Sequence, residues 1–328
     1  MTSVLVTGGT GSFGAAFART LLSGAAVRRI VVFSRDEVKQ AAMREALASE
    51  YGADEIEARV RFMLGDVRDV DRLALAMQGV TTVVHAAALK RVDALEYDPE
   101  EAVKTNVLGA MNVAAAARRA GVHRVLGLST DKAAQPVNLY GATKLTMEKL
   151  FTAENALSGA AGPRFACTRY GNVAGSRGSV IPFWRRLARE GEPLPVTDPR
   201  MTRFYMGMDE AVTFVLSALG RMQGAEVFVP KLPSFRVLDL AEAVWRAEWG
   251  EPPTDRDLVY VGMRPGEKLH ESLIGTDEAR DAWDLGDCYM LSRTGPTVLS
   301  REAVRTPGGR YEAADVRVPD PAARRVPS

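Results

Sequence analysis

The chain opens with a short apolar strand that runs directly into a glycine-rich turn, and this combination limits the folds open to it. Residues 4–6 read VLV, and residues 7–14 read TGGTGSFG. Gly8 permits a tight turn, Gly11 lets a pyrophosphate approach the backbone, and Gly14 lets the following helix pack closely. The helix N-terminus then faces the phosphate charge. The turn predicts dinucleotide binding through Thr7, Gly8, Gly11, Ser12, Phe13 and Gly14.

Strands and helices alternate through the first half of the chain. Apolar strands are expected at 30–33, 60–64, 83–84 and 124–128, with helical stretches between them, notably 35–49 and 100–120. This alternation is typical of a parallel, doubly wound sheet, and unbroken apolar strands suit a sheet covered on both faces. We therefore predict an α/β protein with a Rossmann-type sheet.

The pattern changes after about Gly171, where prolines become frequent and helical runs shorten, as at 181–190 and 238–249. We interpret residues 1–170 as an NADP-binding domain, and residues 171–328 as mainly a smaller substrate lobe. Segments near 205–230 are expected to return to the first domain. The segment from about Thr306 is rich in Pro, Arg and Ala, and we expect it to cover the surface or fray.

Composition excludes several function classes. The net charge is +1 with 25% charged residues, so no general field attracts nucleic acid or an anionic membrane. Cys167 and Cys288 are too few for a disulfide framework, and without a CxxC motif no metal site is expected. No secretory signal and no run of about 18 apolar residues is visible, so we expect a cytoplasmic protein.

The end of the second strand bears on cofactor choice. NAD-binding proteins usually carry a carboxylate there, whereas this chain has Ser34 and Arg35, with Lys39 one turn later. A hydroxyl and two cations suit a 2′-phosphate, which favours NADP. The purely structural alternative is a solvated helix start that Ser34 caps, with Asp36 in its first turn.

Two further strand ends are candidate cofactor contacts. Asp66 and Val67 follow the third strand, where the Asp66 carboxylate either accepts a hydrogen bond from the adenine amino group or caps the next helix. Ala86 and Ala87 follow the fourth strand, and their small side chains let the backbone pass close to the cofactor. His85 is expected to be structural, because nothing near it in sequence pairs with it.

The predicted catalytic pair follows the fifth strand. Tyr140 and Lys144 lie four residues apart and therefore share one face of a helix. A nearby ammonium lowers the pKa of a tyrosine, so we expect Tyr140 to act as a base on a substrate hydroxyl. Lys144 is also expected to hold the nicotinamide ribose.

Several segments together carry a family resemblance: TGGTGSFG (7–14), AAALK (86–90), STDKA (129–133), YGATK (140–144) and RYGNVAGSRGSVIPF (169–183). They resemble the extended short-chain dehydrogenase/reductases. More narrowly, the chain is similar to the inverting UDP-N-acetylglucosamine 4,6-dehydratases from Val4 to about Glu271, and more loosely to Tyr289. The resemblance implies UDP-N-acetylglucosamine or a related UDP-sugar as substrate, and a homo-oligomer with a hexamer as one form.

The resemblance also implies roles for the residues that follow the fifth strand. Thr130-Asp131-Lys132 resembles the Thr-Asp-Glu run of the retaining dTDP-glucose dehydratases, with Lys in place of Glu. Thr130 is expected to hold the carbon 4 hydroxyl, Lys132 to remove the carbon 5 proton, and Asp131 to protonate the leaving hydroxyl on carbon 6. Exchanged roles among Asp131, Lys132 and Tyr140 stay open, as does a structural alternative with Asp131 as a helix cap and Lys132 as a surface charge.

Residues of the second half match family positions that bind the sugar nucleotide. Arg203 and Arg264 match two arginines that clamp the diphosphate, to which guanidinium forks are suited, although each alone would more often be a surface residue. The candidate substrate contacts are Lys90, Asn172, Val180, Arg203, Arg264 and Glu267.

Other functions stay open at this point. A UDP-sugar 4-epimerase would share the cofactor, the Tyr/Lys pair and the arginines, but it would not need Asp131 and Lys132. A dehydratase that retains carbon 5 or stops at an unsaturated sugar is a closer variant. A non-catalytic NADP-sensing protein is less favoured, because such proteins commonly lose the Tyr/Lys pair.

The chain departs from the family pattern after Arg293, where its sequence diverges, and at two internal places. Arg91-Val92-Asp93 follows AAALK, where His-Val-Pro is frequent. Ala134-Gln135 precedes Pro136, where valine and asparagine are usual. Neither change removes a predicted catalytic residue.

Overall fold

The strands and helices are those of a computed structural model, which describes residues 2–176, 178–293, 304–305 and 311–312. The strands in chain order are β1 (Thr2–Thr7), β2 (Val27–Ser34), β3 (Val60–Leu64), β4 (Thr82–His85), β5 (Arg124–Leu128), β6 (Arg164–Thr168), β7 (Asn172–Val173), β8 (Leu194–Val196), β9 (Thr202–Met206), β10 (Val227–Pro230), β11 (Ser234–Arg236), β12 (Leu258–Tyr260), β13 (Ser272–Ile274), β14 (Ala282–Asp284), β15 (Cys288–Leu291), β16 (Val304–Arg305) and β17 (Tyr311–Glu312). The helices are α1 (Ser12–Ser23), α2 (Glu37–Tyr51), α3 (Ala53–Arg59), α4 (Val70–Ala76), α5 (Val92–Tyr97), α6 (Pro99–Ala102), α7 (Gly109–Ala120), α8 (Leu139–Ser158), α9 (Val180–Glu190), α10 (Met208–Arg221) and α11 (Val237–Trp249).

The main sheet is built around the apolar strands that the sequence predicts. Its order is β16-β14-β15-β10-β6-β5-β4-β1-β2-β3, and the run from β10 to β3 is parallel throughout. Val4, Leu5 and Val6 in β1 are at most 3% exposed, because helices cover both faces of the sheet. The strand order reverses between β1 and β4, which is where ligands bind in such folds. The predicted α/β, doubly wound class is confirmed.

A second, smaller hydrophobic cluster lies in the region predicted to be the substrate lobe. It joins Trp184 of α9, Leu194 of β8 and Trp245 of α11, and it is separate from the main core. The chain contributes β10, β14 and β15 to the main sheet, next to β6. From Thr306 onward, the described residues are 311–312 alone, and the expected surface tail otherwise lies outside them.

Two predicted helices differ in detail from the structure. Helix α2 begins at Glu37, and its cap is Asp36, whose side chain accepts a hydrogen bond from the Lys39 amide at 2.9 Å. The alternative in which Ser34 caps this helix is therefore wrong. The predicted helix over 100–120 consists of α6 and α7 joined by a π-helical turn at Val103–Leu108.

Cys167 and Cys288 are both buried and unbridged. Among the residues described, no helix is both long and apolar enough to cross a bilayer.

Candidate active site

The glycine turn between β1 and α1 forms an open cradle at the switch point of the sheet. Gly8 has φ +63°, and a Cβ on it would lie 2.9 Å from the Ala87 backbone. A Cβ on Gly14 would lie 2.6 Å from Gly9, so helix and turn pack as predicted. No side chain caps the start of α1 at Gly11, which leaves the helix N-terminus suited to an anion. This geometry fits a dinucleotide pyrophosphate.

The residues flanking the cradle support its shape. Thr7 is fully buried, and its hydroxyl is 2.8 Å from His85 Nδ1 and accepts a hydrogen bond from the Ala87 amide. Burial lowers the pKa of His85 to about 3, so the ring is neutral and structural, as expected. Thr7 therefore fixes β1 to the end of β4. Phe13 stacks on Phe17 within α1.

At the end of β2, the cations proposed for a 2′-phosphate are already paired. Lys39 contacts Asp36, and an Arg35 guanidinium nitrogen lies 3.7 Å from Asp66. Both cations are more than half exposed and therefore remain available to an anionic ligand. The buried Ser34 hydroxyl accepts a hydrogen bond from Gln40.

Asp66 and Val67 have different surroundings after β3. The Asp66 carboxylate accepts a hydrogen bond from the Arg68 amide, whereas Asp69 caps α4. The alternative in which Asp66 is a helix cap is therefore wrong. Val67 is buried and packs against Gly109 in α7.

Asn106, which was not predicted from sequence, fixes the segment after β4. It is 1% exposed, and its side-chain amide bonds both the amide and the carbonyl of Leu89, at 2.8 and 2.9 Å. The same amide also donates to Thr143 on α8, at 3.1 Å. Asn106 lies in the π-helical turn, a feature frequent at functional sites. It holds the backbone next to Lys90 against the helix that carries Tyr140 and Lys144.

The predicted catalytic residues converge at the end of β5. Asp131 is fully buried and accepts hydrogen bonds from the Thr130 hydroxyl at 2.9 Å and from Lys132 Nζ at 3.1 Å. The side chain of Tyr140 forms a hydrogen bond with the side chain of Thr130. Gly141 makes this approach possible, because any Cβ there would collide with the Lys132 carbonyl. Asp131 is therefore no helix cap, and Lys132 is no free surface charge.

The electrostatics of Tyr140 differ from the prediction. Burial raises its pKa, with the Lys132 charge and the Thr130 hydrogen bond acting in the opposite direction. Lys144 is not the cation that acts on it: Lys144 Nζ contacts Met147 Sδ at 3.1 Å. Burial lowers the pKa of Lys144 to about 8. The prediction that Lys144 lowers the tyrosine pKa is wrong for this arrangement.

Glu271 is a third carboxylate at this centre, and the sequence analysis assigned it no role. It is 2% exposed, and its Oε1 lies 3.3 Å from Lys132 Nζ. Although burial disfavours the ammonium, Asp131 and Glu271 together raise the pKa of Lys132. Lys132 is therefore protonated in this arrangement.

The segment from Arg264 to Glu271 is hydrogen-bonded to the connection between β5 and α8, residues 129–138, which we call the catalytic turn. Asn138 caps α8 through the Gly141 amide and donates from its Nδ2 to the Gly266 carbonyl at 2.7 Å. Lys268 Nζ donates to the Ala134 carbonyl at 2.7 Å. Gly266 has φ +78° and lies close to Asn138, so the turn requires a glycine. We call residues 264–271 the anchored segment.

The predicted substrate residues differ in their surroundings. Arg203 in β9 is 9% exposed, and its guanidinium donates to the carbonyls of Thr202 and Leu269. Arg264 is exposed, and the Glu267 carboxylate accepts a hydrogen bond from its backbone amide at 3.0 Å. Glu267 thus shapes the turn that presents Arg264. The other three candidates are exposed: Lys90, Asn172 and Val180.

A buried ion-pair network lies close to Lys144 and was not predicted from the sequence. Arg169 is fully buried, forming two hydrogen bonds with Glu148 of α8 at 2.6 and 3.0 Å. It forms two more with Glu278 at 2.7 and 2.9 Å, and one with the Leu273 carbonyl. The network joins β6, α8 and the segment that follows β13.

The doubly wound sheet, the glycine cradle and the Tyr/Lys pair define a nicotinamide-dependent enzyme of the short-chain dehydrogenase/reductase class. The comparisons with known proteins agree. A family model described as polysaccharide biosynthesis protein matches residues 4–293. The chain belongs to this family.

Two activity names occur among relatives of the chain. The chain is 46% identical over 291 residues to the UDP-N-acetylglucosamine 4,6-dehydratase (inverting) of Campylobacter jejuni, covering 88% of this chain and 82% of that protein. It is 40% identical over 296 residues to a UDP-glucose 4-epimerase of Rickettsia canadensis, covering 89% and 83%.

Solved structures share the fold. Pen from Bacillus thuringiensis matches with a TM-score of 0.88 and 34% identity, over 96% of this chain and 94% of that one. DesIV from Streptomyces venezuelae, a dTDP-glucose 4,6-dehydratase with NAD bound, matches with a TM-score of 0.72 and 25% identity, over 85% and 90%.

Proposed function

We propose that the protein is an NADP-dependent 4,6-dehydratase of UDP-N-acetylglucosamine that forms a 4-keto-6-deoxy sugar with inversion at carbon 5. The observation that carries the proposal is the ion pair between the buried Asp131 and the partly exposed Lys132, beside Tyr140. An oxidation at carbon 4 followed by a hydride return needs a base and little else. Elimination of water also needs an acid and a base acting together, and this pair supplies both.

The glycine cradle would hold the pyrophosphate of NADP, and Arg35 and Lys39 would face its 2′-phosphate. When bound, the cofactor would supply the acceptor for the carbon 4 hydride and the source of the hydride for carbon 6. Thr130 orients the carbon 4 hydroxyl, and Tyr140 removes its proton. The charge of Lys132 favours the phenolate of Tyr140 against the effect of burial.

The elimination uses one proton shared within the pair. At rest the pair is a carboxylate and an ammonium joined by a 3.1 Å hydrogen bond. Transfer of that proton to Asp131 gives a carboxylic acid beside a neutral amine. Lys132 then takes the proton from carbon 5, which the carbon 4 ketone has acidified, while Asp131 protonates the departing carbon 6 hydroxyl. The pair is then again a carboxylate and an ammonium. Return of the hydride to carbon 6 requires a proton at carbon 5, and its delivery from the face opposite to the one deprotonated inverts that carbon and balances the proton that Tyr140 took from carbon 4.

Arg203 and Arg264 would bind the diphosphate from two sides of the site. Arg203 is held by backbone carbonyls, and Arg264 lies on a turn that Glu267 shapes. The region around the second hydrophobic cluster would form the rest of the sugar-nucleotide lobe, with residues 1–170 binding the cofactor.

The test is product analysis in heavy water. Purified protein is incubated with UDP-N-acetylglucosamine and no added reductant, and the product is examined by mass and proton NMR spectra. Loss of one water, a new carbon 6 methyl group and deuterium at carbon 5 are expected, with ring couplings that report inversion. Lys132→Met should reduce turnover by about 10²–10⁴-fold. Lys149→Met, which removes an exposed lysine of α8, is the matched control.

A UDP-sugar 4-epimerase is the second candidate, because a relative of 40% identity carries that activity name. It would leave the mass unchanged and alter the configuration at carbon 4. An epimerase would release no water and form no carbon 6 methyl group, either as the wild-type protein or as Lys132→Met, since the elimination step is absent.

A further inference from the structure

The buried carboxylate of Glu271 is the strongest feature that the proposed mechanism leaves without a task. Its Oε1 is paired with Lys132 at 3.3 Å, and its Oε2 is buried without a hydrogen bond in the described structure, 3.9 Å from Lys268 Nζ. A buried carboxylate in this state costs free energy unless nearby cations offset it. Its placement at the predicted elimination pair points to a role there.

The charges around Lys132 come from four different parts of the fold. Asp131 faces it from the catalytic turn, Tyr140 from α8, Arg203 from β9 and Glu271 from the anchored segment. In the proposed mechanism Asp131 and Tyr140 each change their protonation state. Of the two carboxylates bonded to Lys132, only Glu271 remains ionised throughout that sequence.

We propose that Glu271 is a positioning residue that holds the Lys132 amine beside Asp131 and stabilises the ammonium that forms as Lys132 takes the carbon 5 proton. The inference rests on the proposed dehydratase function. Lys132 is neutral only between the proton transfer to Asp131 and the attack on carbon 5. Its charge then reappears 3.3 Å from a carboxylate that is shielded from water. Fixed charges of this kind stabilise a transition state without reorganisation.

The chain places Glu271 by tertiary anchors and not by local sequence. Thr202 Oγ1 lies 2.8 Å from His270 Nδ1, and Lys268 binds the Ala134 carbonyl on the other side. These contacts hold His270 and Lys268, the residues on either side of Leu269, and so fix the chain that leads into Glu271. The backbone that carries Glu271 is therefore held in place independently of Lys132, as a positioning residue requires.

The experiment compares Glu271→Gln, Glu271→Asp and the control Asp277→Asn, whose carboxylate is exposed near the same segment. Glu271→Gln keeps the size of the side chain and removes its charge. We expect kcat for water elimination to fall by about 10–100-fold with KM for the UDP-sugar nearly unchanged. Glu271→Asp should recover part of that loss, and Asp277→Asn should match the wild type.

Two pH readouts separate positioning from a general loss of structure. Without the Glu271 charge the pKa of Lys132 falls, so the shared proton is lost at lower pH and the alkaline limb of the kcat profile moves down. Acetylation of Lys132 by acetic anhydride, followed by mass spectrometry, reports the same shift without turnover. Wild-type kcat together with an unshifted labelling profile in Glu271→Gln would overturn the inference.

The labelling readout also separates this inference from the proposed function. If the wild-type protein forms no dehydrated product, the proposed function fails, and Glu271 cannot have the task assigned here. If the product forms and Glu271→Gln leaves both kcat and labelling unchanged, the dehydratase stands and Glu271 alone is refuted.

Discussion

Replacing Arg169 by methionine should destabilise the protein strongly, because it removes the guanidinium that pairs with both Glu148 and Glu278. Arg169 is fully buried and makes four hydrogen bonds to Glu148 and Glu278, and the side chain of Glu148 is 2% exposed. Methionine retains much of the volume but leaves both carboxylates unpaired. Breaking a buried pair from one side costs about 3–5 kcal/mol.

The loss of folding stability in Arg169→Met should become smaller as the pH is lowered. Burial raises the pKa of Glu278, but the hydrogen bond and charge of Arg169 outweigh it, so the net shift is downward. A depressed carboxylate pKa contributes stability above the unfolded-state pKa, and this contribution is lost as pH falls through the folded-state value. The variant lacks this contribution. The difference in unfolding free energy should therefore narrow as the pH is lowered.

Urea unfolding followed by tryptophan fluorescence measures both effects, since the chain has four tryptophans. Arg186→Met serves as the control, because it breaks an exposed pair with Glu190 one helical turn away. That change should cost less than about 1 kcal/mol. If Arg169→Met costs no more than the control, or if its cost grows toward acid pH, the argument from burial is refuted.

Three further changes test other parts of the structure. Gly14→Ala should weaken binding of NADP⁺, measured by calorimetry, and destabilise the fold by about 1–3 kcal/mol, since the new Cβ would lie 2.6 Å from the Gly9 backbone; unchanged affinity would contradict the packing. Gln135→Asn should raise the free energy of unfolding by about 0.5–1 kcal/mol, because Gln135 has φ +47° and asparagine tolerates that region better; a lower melting temperature would count against it. Arg35→Ala should weaken NADP⁺ binding by about tenfold and leave NAD⁺ binding almost unchanged; equal losses for both cofactors would remove the basis for NADP preference.

Much of the fold follows from local patterns. The predicted strands at 60–64 and 124–128 coincide with β3 and β5, because apolar runs bounded by turns have little alternative. The glycine turn also behaves as expected, since φ at Gly8 and the packing at Gly14 are local consequences of its spacing. The convergence of Asp131 and Lys132 with Tyr140 is also local, because the turn after β5 leads directly into α8, which carries Tyr140 in its first turn.

What could not be predicted depends on partners that are distant in sequence. Glu271 is one carboxylate among many until the fold brings it to Lys132, and no periodicity marks it. Arg169 is the first residue of a segment that carries the family resemblance, but its partners Glu148 and Glu278 lie 21 and 109 residues away. The pKa of Tyr140 was predicted with the wrong sign, because helical spacing identifies a neighbour and says nothing about burial.

The anchored segment has a consequence for how the protein becomes active during synthesis. Its bonds to the catalytic turn span 128 residues between Asn138 and Gly266, and 134 between Ala134 and Lys268. The cofactor cradle, by contrast, is complete when the first strands and helices have left the ribosome. A nascent chain should therefore bind its dinucleotide well before its proton-transfer centre assembles, and chemistry on the sugar should begin only after Glu271 has emerged and docked.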